Sequence, residues 1–108
     1  MSQILKNLPV GSYAVIFPSL SSGVDEEGHE QMLATLYESA QAVKGYLGLE
    51  SASIGSFKLS IAYYDSLEAI NTWKANGDHI AAKSKARSTW LEDWQIRICK
   101  IEDIYGKA

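Results

Sequence analysis

Apolar residues along this chain change twice from the spacing of a strand to that of a helix and back. Positions 12–18 read SYAVIFP, a β-branched and aromatic run closed by proline, which predicts a strand. Positions 1–11 form a leader ending at Pro9 and Gly11, and a Ser/Gly loop over 19–24 follows the strand. Asp25 is placed to cap a helix whose first turn carries Glu26 and Glu27. Met32, Leu33, Leu36, Tyr37, Ala40 and Val43 then recur at helical spacing, and Lys44-Gly45 ends the run. Positions 46–54 and 57–64 predict two strands joined by Gly55-Ser56, an antiparallel hairpin. Ser66 caps a second helix through Leu67, Ile70 and Trp73. Asn76-Gly77-Asp78 is expected to interrupt it, with a further helix from 79 to about 90. A last strand over 94–104 alternates Trp94, Ile96 and Ile98 with Gln95, Arg97 and Cys99.

Strand, helix, strand, strand, broken helix, strand is a split βαβ order: an α+β, ferredoxin-like arrangement with a four-stranded antiparallel sheet. Helices can cover only one face of such a sheet, and the other should be polar. Yet the first strand is apolar on both faces, with Tyr13, Val15 and Phe17 on one and Ala14 and Ile16 on the other. In the third strand, Phe57, Leu59, Ile61 and Tyr63 share one face, and Ala62 and Tyr64 are assigned to the face away from the helices, with Cys99 and Ile101 of the last strand. A second sheet is therefore expected on that face, supplied by an identical chain as a homodimer.

With 108 residues, the chain has room for a single domain spanning 1–108. Hydrophobic residues at 46% and charged residues at 21% are globular values, which excludes wholesale disorder. The net charge of −3 and the lack of a basic stripe argue against a nucleic-acid partner. No run approaches the roughly 20 apolar residues of a membrane span, and the first residues lack a secretory pattern, so neither membrane nor export is expected. The one cysteine, Cys99, cannot pair within the chain, which fits a cytoplasmic protein.

Motifs for nucleotides, phosphate, zinc or a hydrolase nucleophile are absent, and His29 and His79 share no metal-ligand spacing, so no metal site is expected. The candidate chemistry lies between Tyr63 and Trp94. That segment holds Trp73, Trp90, Trp94 and His79, with Arg87 three residues before Trp90. A bent helix on a sheet leaves a wedge suited to a small molecule. Trp73 can stack an aromatic ligand, and His79 can accept or donate a proton near neutral pH. Tyr64, Arg87 and Trp90 are the candidate substrate-binding residues.

The strings YAVIF (13–17), GYLGLES (45–51), SIAYYDSLEAINTWKANGDHIAA (60–82) and RSTWLEDWQIRICKIE (87–102) resemble the antibiotic biosynthesis monooxygenase family. The resemblance implies a dimeric α+β barrel, two ferredoxin-like subunits facing each other through their sheets. One branch of that family oxidises aromatic phenols to quinones with molecular oxygen and no cofactor, using a tryptophan and an asparagine on the helix. Trp73 matches the tryptophan, whereas Ala69 stands where the asparagine is required. Another branch binds and degrades haem through a helical histidine, at whose position this chain has Lys83, with His79 one turn earlier. The resemblance thus implies a cofactor-independent monooxygenase acting on an aromatic or quinol-type molecule, with His79 and Trp73 as catalytic pair. The alternative is a non-catalytic homodimer that holds a small hydrophobic ligand, and haem binding is the third reading.

Overall fold

A computed structural model describes residues 4–84 and 89–107, without the side chains of 79–84. The elements run β1 (Tyr13–Ser21), α1 (Glu26–Gln41), β2 (Tyr46–Ile54), β3 (Phe57–Tyr64), α2 (Leu67–Ser84), β4 (Leu91–Trp94) and β5 (Arg97–Lys100). The antiparallel sheet has the order β2-β3-β1-β4, with β5 also on β1. β4 lies beside the Ser19–Ser21 end of β1 and β5 beside its Tyr13–Ile16 end. The Gln95 amide donates to the Pro18 carbonyl at 3.1 Å, so the two halves follow one track along β1. The expected last strand is therefore divided and ends earlier than position 104. The whole is the α+β, ferredoxin-like arrangement that the element order predicts.

Local chemistry sets the boundaries. Asp25 Oδ1 accepts from the Gly28 amide at 3.2 Å and caps α1, and Ser66 Oγ accepts from the Ala69 amide at 3.1 Å and caps α2. Ile54 faces Phe57 across the Gly55-Ser56 turn, as expected. α1 ends at Gln41 rather than at Lys44-Gly45. Beyond it the Val43 amide bonds to Ala40 in a tighter turn, which still delivers Val43 to the core. Gly45, at φ +101°, completes the exit; a Cβ there would strike the Asp65 carboxylate and Ala69.

α2 differs from expectation. It runs unbroken through Asn76-Gly77-Asp78 to Ser84. Glycine in a helix interior costs about 1 kcal/mol against alanine, too little to break a helix anchored on a sheet by Ile70 and Trp73. Trp90 follows the helical Thr89 and lies in the turn before β4.

The core joins Val15, Val43, Tyr64, Ala69 and Ile70, with Trp73, Tyr46 and Ala62 packed on it. Tyr64 is fully buried, its ring edge-on to Tyr46 at 5.8 Å and its hydroxyl donating to the Ala40 carbonyl at 3.3 Å. This corrects the face assignment of β3. Val15 pairs with Ala62 and Tyr13 with Tyr64, so Ala62 and Tyr64 face the helices. Leu59, Ile61 and Tyr63 join Ala14 and Ile16 on the outer face. There Glu50 accepts from the Tyr63 hydroxyl at 2.6 Å and from the Leu5 amide at 3.1 Å, tying residues near the N-terminus across the sheet. Leu5 packs onto Gly48, where any side chain would collide with it.

Candidate functional site

The sheet's helix-facing surface changes character along its length. At one end it carries Tyr13, Val15, Leu49, Ala62 and Tyr64. At the other, the same strand phases carry Ser19, Ser21, Ser53, Lys58 and Ser60. Between this surface and the helices runs a groove of three contiguous cavities. Phe17 and Leu36 line all three.

The largest cavity, about 520 Å³, is bounded by Trp73 and Gly77 of α2 and by Phe17, Trp94, Ile96 and Ile98 of the sheet. The alternation of Trp94, Ile96 and Ile98 puts all three on one wall, even though the strand is interrupted between β4 and β5. Trp73 is half-buried and tilted 43° against Tyr64, with centroids 6.4 Å apart. Phe17 meets Trp94 edge to face at 6.3 Å. A smaller space of about 90 Å³, walled by Val15, Leu33, Tyr37, Tyr46 and Ala62, continues beneath α1.

The polar end is a cavity of about 290 Å³ that holds His29, Glu30 and Tyr37 of α1, Lys58 and Ser60 of β3, and Trp90. Lys58 Nζ sits 4.8 Å above the Tyr37 ring, and the Tyr37 hydroxyl lies 3.5 Å from Ser60 Oγ. Burial pushes the His29 imidazole below its usual range; Lys58 adds to that and Glu30 opposes it. Near pH 7 the ring is therefore neutral, with one nitrogen free to accept a proton.

Of the sequence-predicted site residues, Trp73 lies in the groove at its apolar end. Trp90 lines the polar end, apart from Trp73, with its Nε1 donating to Asp25 Oδ2 at 3.2 Å. Tyr64 is a core residue beneath Trp73 and lines none of the three cavities, which corrects its reading as a substrate contact. His79 lies on α2 with its side chain outside the described residues, as does that of Lys83, and Arg87 is outside them altogether. Ala69 is buried at 5% exposure within the core. Sequence reasoning missed His29, Lys58 and Tyr37. Their signal was the strand phase that puts Lys58 and Ser60 with Ala62, visible only once the helix-facing phase was known. Among the described residues no cluster of His, Cys, Asp and Glu could hold a metal ion, and no helix is long and apolar enough to cross a membrane.

Comparison with known proteins places the chain. It is 36% identical over 91 residues to the uncharacterized protein YqjZ of Bacillus subtilis (strain 168), covering 83% of this chain and 79% of that protein. The chain belongs to the YqjZ family. No family model matches it. Its fold is that of SnoaB, a cofactor-independent oxygenase from Streptomyces nogalater, with a TM-score of 0.71 at 11% identity over 91% of this chain and 100% of SnoaB. A candidate antibiotic biosynthesis monooxygenase from Nitrosomonas europaea superposes with a TM-score of 0.67 at 12% identity, over 88% of this chain and 94% of its own. The YqjZ relative thus has the architecture of antibiotic biosynthesis monooxygenases, as the quoted strings imply.

Proposed function

We propose that this YqjZ relative is a cofactor-independent monooxygenase that oxidises an aromatic or quinol-type small molecule with molecular oxygen. The observation that carries the reading is the aromatic lining of the largest cavity, where Trp73, Phe17 and Trp94 border about 520 Å³ of mostly apolar space. That volume is in the range of small-molecule sites. Flat rings stack well on such walls. The fold it shares with SnoaB supports the same chemistry.

An electron-rich phenol or anthrone, once deprotonated, can itself pass an electron to oxygen, so no protein group needs to change oxidation state. For an anthrone, the ring methylene becomes a carbonyl. One oxygen atom enters the product, and the other leaves as water with the two methylene hydrogens. Trp73 holds the ring, and His79, two residues beyond the groove-lining Gly77, takes the proton lost from the ring methylene; Arg87 stays a proposed substrate contact.

A second reading, a non-catalytic binder of a small hydrophobic molecule, is favoured by Ala69. The position at which a catalytic asparagine is implied is here a buried methyl in the core. In both readings a second copy covers the outer face at Ala14, Ile16, Leu59 and Ile61. Sedimentation at micromolar concentration should then give twice the chain mass.

Oxygen uptake with 1,8-dihydroxyanthrone, without added metal or flavin, separates the two readings. The enzyme consumes one O₂ per quinone formed, and His79→Ala loses roughly 10²-fold in turnover. Saturable binding with no uptake leaves the binder.

A further inference from the structure

The polar end of the groove brings an ammonium and an imidazole to one cavity, Lys58 and His29. Ser19 and Ser60 are 8% and 6% exposed, and Lys58 shares their strand phase, its Nζ 4.8 Å above the Tyr37 ring, on the helix-covered face of a sheet whose other end is mainly apolar. Lys58 works against a proton on His29. An anion would reconcile them. His29 is fixed for the purpose: its ring lies flat on Trp90, and Trp90 is tied to Asp25 ahead of α1.

We propose that His29 and Lys58 form an acidic-oxygen site, in which the hydroxyl of a phenol or enol is held as its anion. This rests on the groove being a ligand site and adds to it the class of ligand, a hydroxylated aromatic with its ring toward Phe17 and its acidic oxygen toward Lys58. The O–H bond of the ligand breaks, its proton forms an N–H bond on the neutral imidazole of His29, and the electron pair stays on the oxygen beside the Lys58 ammonium. Among the described residues, Glu30 is the other charged group that lines the cavity. Glu30, on α1, favours the imidazolium once formed, and Tyr37 and Ser60 offer hydroxyls; Asp25, outside the cavity lining, is engaged by Trp90 and Gly28.

The test uses the full chain with 7-hydroxycoumarin, whose ionised form has its own absorption band, and 7-methoxycoumarin, which cannot ionise. Bound to the wild type, the hydroxycoumarin should ionise about one pH unit lower than free, equivalent to about a tenfold preference for the anion. Lys58→Gln should abolish that shift and Lys58→Arg retain it, and Lys58→Gln should cost hydroxycoumarin more affinity than methoxycoumarin. Calorimetry in buffers of different ionisation enthalpy should find little proton release on binding to the wild type at pH 7.5. The release should rise to about half a proton per site in His29→Gln, the most that a one-unit shift allows, because that variant has nowhere to keep it. Methoxycoumarin binding without any ionisation shift for hydroxycoumarin would overturn this site and leave the proposed function standing. Equal proton release in wild type and His29→Gln would overturn His29 as acceptor. Failure of both coumarins to bind would overturn the site together with the groove.

Discussion

The imidazole of His29 is stacked on the indole of Trp90, with centroids 6.0 Å apart and planes 6° from parallel. The arrangement is held from behind. Asp25, in the left-handed conformation at φ 50°, uses one carboxylate oxygen to cap α1 at Gly28 and the other to accept from Trp90 Nε1. The Ser22 amide donates to the Trp90 carbonyl at 2.8 Å, and Ser22 Oγ donates to that of Thr89 at 2.7 Å, closing the same loop. A helix start, a turn and a strand start thereby meet at one carboxylate, which sets the angle at which α1 roofs the groove.

Trp90→Phe removes the indole donor and part of the stack. It should destabilise the fold by about 1–2 kcal/mol in urea denaturation. Asp25→Asn, which keeps the left-handed backbone and one acceptor oxygen, should cost about 1 kcal/mol. The double variant should cost less than the sum, because both changes break the same hydrogen bond. Strict additivity would show that this bond contributes nothing.

Stability should fall as pH drops from about 7.5 to 5.5, and His29 should account for part of the fall. The unfolded imidazole takes its proton near its ordinary value of about 6.5. The folded one, disfavoured by burial and by Lys58, takes it only at lower pH. Below about pH 6.5 the unfolded chain therefore holds more protons, and the equilibrium moves toward it. Thermal melts of His29→Gln should show a shallower decline over this window than the wild type. Parallel curves would contradict it.

Glu50 joins the Tyr63 hydroxyl and the Leu5 amide on the outer face, and burial together with this carboxylate pushes the Tyr63 phenol well above its ordinary range. Glu50→Ala should free the Leu5 amide to exchange its hydrogen faster, by tenfold or more, while the amides of β3 stay protected. Tyr63→Phe should leave Leu5 protected, because the amide keeps its own carboxylate oxygen.

Gly77→Ala should stabilise the protein by about 0.5–1 kcal/mol. Gly77 lies within α2, its φ is not positive, and a methyl there would meet nothing within 4 Å. The same methyl would project at a residue that lines the groove, so affinity for a three-ring aromatic should fall while 7-methoxycoumarin binding changes little. A destabilised Gly77→Ala protein would mean that α2 is not continuous in solution.

Much of this protein was legible in its sequence because the deciding forces are local. Asp25 and Ser66 cap helices because their short side chains reach backbone amides three residues on, and Gly55-Ser56 closes a hairpin because two residues suffice for the turn. Trp94, Ile96 and Ile98 line one wall because alternation survives a break in hydrogen bonding. Tertiary structure decided the rest. Both phases of β3 carry apolar residues, so the choice of face fell to the register that sets Val15 against Ala62; that turned Tyr64 into the core and Lys58 into the groove. The continuity of α2 was decided likewise, by packing of Ile70 and Trp73 strong enough to carry Asn76-Gly77-Asp78 as helix. His29 and Trp90 stand far apart in sequence, and only the fold of α1 over the start of β4 brings their rings together.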